Sequence, residues 1–91
     1  MKTLFLDIEC YSNYFLASFT NSEQTKYVEL ELYPGKDLNR HRLQKLMHDY
    51  TTVSFNGLSY DLLMICAAIG GYTNKRLKQL SDDIILSGQP S

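Results

Sequence analysis

Apolar and polar residues alternate over residues 24–33, and this period of two predicts a β-strand with one face open to water. The apolar face consists of Val28, Leu30 and Leu32, and the opposite face carries Tyr27, Glu29, Glu31 and Tyr33. Two earlier apolar runs, residues 3–8 and 14–20, predict two more strands. Because the three segments follow one another closely, antiparallel hairpins are their simplest connection.

Helical spacing replaces this alternation in the next segment. An amphipathic helix is predicted by the apolar positions Leu43, Leu46, Met47 and Tyr50. Asp37 and Asn39 are its candidate N-caps, because short polar side chains bond the free amides of a first turn. Residues 52–55, which are β-branched and aromatic, then predict a short fourth strand.

Two helices are predicted in the last third of the chain. Residues 60–69 are apolar almost all round, which predicts a buried helix with Ser59 as its N-cap and Gly70-Gly71 as its end. A third helix is predicted from Thr73, with its inward positions at Leu77, Leu80 and Ile84. The order β-β-β-α-β-α-α predicts an α/β fold in which helices cover a mixed sheet.

Composition narrows the class of protein. The chain has 91 residues, of which 44% are hydrophobic and 21% charged, and a formal net charge of -1. These values exclude wholesale disorder and indicate a single small domain over residues 1–91. No apolar run approaches the roughly 20 residues needed to cross a bilayer, so no membrane association is expected. Cys10 and Cys66 form no metal-binding CxxC pair, and two buried free thiols are typical of a reducing cytoplasm.

Three carboxylates are the candidate chemical groups. Asp7 and Glu9 lie two apart on the first predicted strand, so their side chains point to the same face. Among apolar neighbours the two carboxylates repel each other and lose hydration, and a hard divalent cation would compensate for both costs. The alternative is a solvated pair at the end of the strand. Asp61 lies in the first turn of a predicted helix, either as a carboxylate that interacts with the helix dipole or as a further ligand at a strand's C-terminal edge.

Two segments resemble motifs of the DnaQ-like, or DEDD, 3′–5′ exonucleases, and in particular the proofreading exonuclease domain of bacteriophage DNA polymerases. Phe5-Leu6-Asp7-Ile8-Glu9 is similar to the first motif of that family. Residues 54–61, Ser-Phe-Asn-Gly-Leu-Ser-Tyr-Asp, are similar to the second motif, and residues 75–85 to a later stretch of the phage enzymes. The spacing of the motifs and the order of predicted elements agree with this resemblance.

The resemblance implies a ribonuclease H-like fold and hydrolysis of phosphodiester bonds at single-stranded 3′ ends of DNA with two Mg²⁺ or Mn²⁺ ions. Asp7 would bridge both ions, Glu9 would bind one ion and help to place the attacking water, and Asp61 would hold the second ion. These are the metal-binding and catalytic residues that the resemblance assigns.

The same resemblance implies a substrate-binding set that consists of Asn56, the Phe55 backbone, Tyr60 and Tyr11, all near the 3′-terminal nucleotide. Plain packing is the alternative for the two tyrosines. The family's third motif, with a fourth aspartate and a Tyr or His general base, has no counterpart after Asp61. We therefore expect the first half of the domain, inactive or weak by itself, whose complement is a polymerase chain or a second half-domain in the cytoplasm of a bacterial host.

Basic residues and the fourth strand leave a second function open. Seven of the nine Lys and Arg residues fall on or beside two predicted helices, either to contact DNA or as solvated faces: Lys36, Arg40, Arg42, Lys45, Lys75, Arg76 and Lys78. A fourth strand without a further neighbour would be an open edge, which invites pairing with another chain. The alternative function is therefore a non-catalytic interaction module that docks on a partner or forms a homo-oligomer.

Overall fold

The computed structural model describes residues 2–54 and 57–87, and within these ranges the chain forms one four-stranded mixed sheet and three helices. In chain order the elements are β1 (Thr3–Tyr11), β2 (Tyr14–Asn21), β3 (Tyr27–Leu32), α1 (Arg40–Asp49), β4 (Thr51–Ser54), α2 (Leu58–Ile69) and α3 (Asn74–Ser87). The predicted element order and the α/β class with a mixed sheet are confirmed.

The strands of the sheet lie in the order β3-β2-β1-β4. β1 pairs antiparallel with β2 and β2 antiparallel with β3, as the short connections between them predict. β4 instead runs parallel to β1, because α1 crosses over between β3 and β4. β1 is thus a central strand, and β3 and β4 form the two edges of the described sheet.

One face of the sheet is covered by the helices. The register places Leu6 opposite Phe19 and Ile8 opposite Ala17, so these four side chains share that face. They join one buried cluster with residues of all three helices, among them Leu43, Met64, Ile65, Ala68 and Leu77. Burial of this apolar surface, at about 25 cal/mol per Å², is the main force that holds the helices against the sheet.

The opposite face of the sheet, here called the open face, carries charge. Its central part consists of Asp7, Glu9, Glu29 and Glu31, and none of these residues belongs to the core that the helices cover. Leu16 lies between Glu9 and Glu31 in the register and is 9% exposed. The alternation in β3 therefore predicted its two faces correctly.

β1 is longer than predicted, and this changes the setting of its acidic residues. The strand continues to Tyr11, which pairs with Tyr14 across a tight turn, whereas residues 3–8 were expected. Hairpin pairing with β2 supplies backbone hydrogen bonds that the composition of β1 does not reveal. Asp7 and Glu9 thus lie within the strand and not at its end, and both are exposed, so the structure agrees with the solvated alternative in exposure but not in position.

The caps of the helices agree with the sequence in part. Asn39 caps α1, since its Oδ1 accepts a hydrogen bond of 3.1 Å from the Arg42 amide. α2 instead begins directly after Gly57, which is its N-cap residue and has φ +94°, a backbone conformation that favours glycine. Ser59 lies inside the first turn and is not the cap that was predicted. Gly70 ends α2 as expected.

α2 is not buried all round, contrary to the prediction. Its outward residues Leu62 and Leu63 are 40% and 52% exposed, and Cys66 is exposed as well, which also corrects the expected burial of that thiol. α2 packs with its inner side on the sheet and with its flanks on α1 and α3, so its outer face has no cover among the described residues. No helix in the described ranges has both the length and the apolar character needed to cross a bilayer.

Candidate functional site

Asp7 and Glu9 point from the same face of β1 into solvent. Their cross-strand partners in β2 are Ser18 and Leu16. Because both carboxylates are exposed, water screens their repulsion. The free-energy cost of this pair is therefore lower than that of two ionised groups in an apolar core. The period of two placed both side chains on the same face, and their exposure is that of the solvated alternative.

Asp61 is the buried acid of the structure. It lies in the first turn of α2, and 0% of its surface is exposed to solvent. The Ser54 hydroxyl, at the end of β4, donates a hydrogen bond to its Oδ2. Its other oxygen, Oδ1, is buried and has no hydrogen-bond partner in the described part of the chain. A buried carboxylate oxygen without a partner is costly, about 1–3 kcal/mol or more.

The environment of Asp61 disfavours its charged form. Burial raises the pKa of the Asp61 carboxyl, the Ser54 hydrogen bond lowers it, and the charge of Asp7 raises it further. Asp7 and Asp61 are therefore close enough to repel each other when both are ionised. A nearby cation would relieve both the burial and the repulsion of the Asp61 carboxylate.

The end of β4 brings these two acids together. Ser54 pairs with Leu6, so Asp7 is the next residue of β1 beyond the end of that ladder. Asp61 approaches this point from α2, on the side of the helices, while Asp7 projects on the open face. Beyond the C-terminal end of a strand, side chains from either side of the sheet can approach each other, and this is the edge where sites of α/β sheets lie.

Glu9 faces a different neighbourhood from Asp61. The hydrogen bond to Glu31 is the main cause of the raised pKa of Tyr14, and the charge of Glu9 makes a small addition, which places Glu9 near the start of β2. Among residues 2–54 and 57–87, no three acidic, His or Cys side chains form a group that could hold a metal ion. The structure thus brings Asp7 and Asp61 together, and Glu9 lies farther along the open face.

The residues assigned to the substrate have different environments. Tyr60 is half-buried, and its hydroxyl lies 2.6 Å from the Ser81 hydroxyl of α3, which is a packing contact between two helices. Tyr11 is 56% exposed on the open face and stacks on Tyr14. Phe55 and Asn56 lie outside the described residues.

A tyrosine column on the open face was not anticipated. The rings of Tyr11, Tyr14 and Tyr33 stack in sequence, with centroid distances of 6.5 and 6.1 Å. The Tyr14 hydroxyl donates a hydrogen bond of 2.6 Å to Glu31, and this bond raises the pKa of Tyr14 to about 12. The alternation of β3 could have indicated Tyr33 and Glu31, but only the hairpin register brings Tyr14 and Tyr11 beside them.

Ser54 belongs to the segment that resembles the second motif, but its hydrogen bond to Asp61 was not predicted. It ends a run of β-branched residues, and its position in β4 places its side chain on the helix-covered face, where Asp61 lies. A serine at the inward end of a strand is a weak signal, because serines are common in turns.

Cys10 is not a candidate nucleophile. Burial raises the pKa of its thiol above the usual value, the charge of Lys78 lowers it by a smaller amount, and the charge of Asp82 raises it slightly. The reactive species of cysteine is the thiolate, so this environment makes Cys10 less reactive.

Comparison of the chain with protein-family models, with curated proteins and with solved structures found no match.

Proposed function

We propose that this chain contributes part of the active site of a two-metal 3′–5′ exonuclease with a ribonuclease H-like fold, of the kind that proofreads in phage DNA polymerases. The observation that carries the proposal is the buried, unpartnered Oδ1 of Asp61 beside Asp7. A strand order of β3-β2-β1-β4, with β4 parallel to a central β1, agrees with the expected first half of that fold.

The donor set fits a hard divalent cation. Carboxylate oxygens are the preferred protein ligands of Mg²⁺ and Mn²⁺, and the free oxygen of Asp61 is held in place because Ser54 occupies the other one. When bound, such ions lower the pKa of a coordinated water and stabilise charge on the attacking and leaving oxygens. In this proposal Asp7 and Asp61 would hold one of the two ions, and Asp7 and Glu9 would hold the other, where Glu9 would help to orient the water.

The chain by itself supplies three of the carboxylates that the chemistry uses. A fourth carboxylate and a general base come from a second chain or segment, so the isolated chain has little or no activity. Each 1.36 kcal/mol of lost transition-state stabilisation is a tenfold loss of rate. Metal binding is therefore a better first measurement than hydrolysis.

The test compares Mn²⁺ binding by isothermal titration calorimetry for the unaltered chain, Asp7→Asn, Asp61→Asn and Asp83→Asn. Asp83 is an exposed aspartate of α3, so its variant controls for the loss of one negative charge. We expect the Asp7 and Asp61 variants to lose binding at least about tenfold and the Asp83 variant to bind like the unaltered chain. Equal affinities for all four proteins would refute the metal site.

Hydrolysis is the second test. A single-stranded DNA labelled near its 5′ end is incubated with Mn²⁺ and the chain, and shortening from the 3′ end is followed on a gel. Any shortening should disappear with Asp7→Asn. Shortening that survives this substitution would arise from another site or a contaminant, and would contradict the assigned role.

A second candidate function, a non-catalytic interaction module, is favoured by one observation. The open face and the outer face of α2 carry exposed hydrophobic residues that the described residues leave uncovered. Contiguous exposed apolar surface is typical of sites that bind another protein.

A further inference from the structure

The two broad surfaces of this molecule are chemically different. The chain measures 36 × 36 × 20 Å, so it is a slab with the open face of the sheet on one side. The other side is the outer helical surface, which consists of the outward residues of α2 together with the neighbouring exposed residues of α1 and α3. Each side has an apolar part and a charge of its own.

The apolar part of the outer helical surface comes from α2. One flank of α2 meets α3 through Tyr60 and Ser81, and Ile69 on the opposite flank borders a surface cavity beside Leu38 of the segment before α1. Between these flanks Leu62, Leu63 and Cys66 point outward and are exposed.

The charge of the outer helical surface is positive. Within the ranges of α1, α2 and α3 there are six Lys and Arg residues against four Asp and Glu residues, and one of the four, Asp61, is buried. Lys45 and Lys78 form ion pairs with acids of their own helices. Arg40, near Gly71 and Ile69 at the end of α2, and the exposed Arg42 of α1 and Lys75 of α3 add to the positive charge of the helical layer.

The open face has the opposite charge. None of the four described strands contains a Lys or Arg, and Lys36, which pairs with Tyr33 just beyond β3, adds one positive charge at the margin of this face. Around the carboxylates lie partly exposed apolar and aromatic side chains, which are Tyr11, Tyr27, Tyr33 and Val53. Aromatic rings beside carboxylates attract Lys and Arg side chains through both charge and the ring face.

We propose that the open face of one copy of this chain binds the outer helical surface of a second copy. Apolar residues then meet apolar residues, and the carboxylates meet the basic residues of α1 and α3. The bound copy supplies helices to the bare side of the sheet, which gives the three-layer arrangement common in α/β proteins. This inference does not depend on the nuclease proposal, because it uses residues of both surfaces beyond Asp7 and Asp61.

Charge decides against the two symmetric alternatives. Two open faces in contact would bring eight carboxylates together, and two outer helical surfaces would bring their excess basic residues together. Like charges across an interface are unfavourable and suppress such pairs. A front-to-back contact is heterologous, so each copy keeps one free surface and the association does not close at the dimer.

The first experiment measures self-association by sedimentation velocity between about 10 and 500 µM, a range suited to weak interfaces. The expected result is a concentration-dependent series of dimers and larger species. Raising the salt from about 50 to about 500 mM should weaken association at least about tenfold, because exposed charges are screened. A monomer at every concentration at low salt would refute the proposal.

Two variants each change one surface. Glu29→Lys alters the open face, and Leu63→Glu alters the outer helical surface; both side chains are exposed, and circular dichroism verifies that each variant is folded. Each should weaken self-association about tenfold or more. Glu23→Lys and Ser22→Glu, in the exposed turn after β2, make the matching charge changes away from both surfaces and should have little effect.

Mixing the two variants separates a front-to-back contact from a symmetric one. Glu29→Lys keeps an intact outer helical surface, and Leu63→Glu keeps an intact open face. We therefore expect the mixture to form a one-to-one complex with the affinity of the unaltered chain, and no larger species. A mixture that stays monomeric, or variants that associate as well as the unaltered chain, would overturn the proposal.

Discussion

Replacement of Asp61 by Asn should stabilise the metal-free protein near neutral pH. The carboxylate is fully buried, has one unpartnered oxygen and is repelled by Asp7. Asn keeps the acceptor for the Ser54 hydroxyl and removes the charge. It still leaves one buried polar group without a partner, so we expect a gain near the lower end of the range for such groups, about 1 kcal/mol.

The pH dependence of this gain follows from the raised pKa of Asp61. In the folded chain the protonated form is favoured relative to the unfolded chain, whose aspartates titrate near 3.8. The protonated carboxyl therefore stabilises the fold fully below about pH 3.8, and this stability is lost as the pH rises through the raised, folded-state pKa. The advantage of Asp61→Asn should accordingly shrink as the pH falls from 7 towards 4.

The assay is urea unfolding of both proteins in chelator-treated buffer at several pH values, with the difference in unfolding free energy plotted against pH. The difference cancels the titration of all other groups that the two proteins share. An Asp61→Asn variant that is less stable than the unaltered chain at pH 7, or a difference independent of pH, would refute the burial argument. Added Mn²⁺ should stabilise the unaltered chain alone, by about 2.7 kcal/mol at one hundred times the dissociation constant.

Three further predictions concern other parts of the fold. Tyr14→Phe removes the hydroxyl that donates to Glu31 and should lower the free energy of unfolding by about 1 kcal/mol below pH 10. This difference should vanish between pH 10 and about 12, as the phenol ionises. Urea unfolding measures the stability difference, and phenolate absorbance measures the ionisation. Asn39→Ala should cost about 1 kcal/mol in urea unfolding through loss of the α1 cap, and Asp37→Ala should have no such effect. A thiol reagent should modify Cys66 in the folded chain faster than Cys10, and equal rates would contradict their different exposure.

Local patterns predicted most of the fold because each pattern has a short-range cause. The alternation in β3 predicted which of its side chains face solvent and which face the core, because successive side chains of a strand point in opposite directions. Asn39 was recognisable as a cap because it precedes the first helical turn and bears a short polar side chain. The predictions that were wrong, such as the Ser59 cap and the buried Cys66, depended on where neighbouring elements lie.

The candidate site shows the same division. The sequence indicated Asp7 and Glu9 as one pair, because their spacing equals the strand period. It did not determine that both are exposed, because exposure depends on which face of the sheet the helices cover. The proximity of Asp61 to Asp7 needs the parallel pairing of β4 with β1, and this pairing is a contact between segments far apart in the chain.

By itself, the sequence determined the order of strands and helices, the two faces of β3 and the fact that Asp7 and Glu9 share a face. These properties follow from backbone geometry and from the spacing of a few neighbouring residues. Tertiary structure alone decided that the helices cover one side of the sheet, that Asp61 is buried beside Asp7, and that α2 keeps an apolar outer face. Those outcomes depend on packing, because burial is a property of the whole set of contacts and not of any local segment.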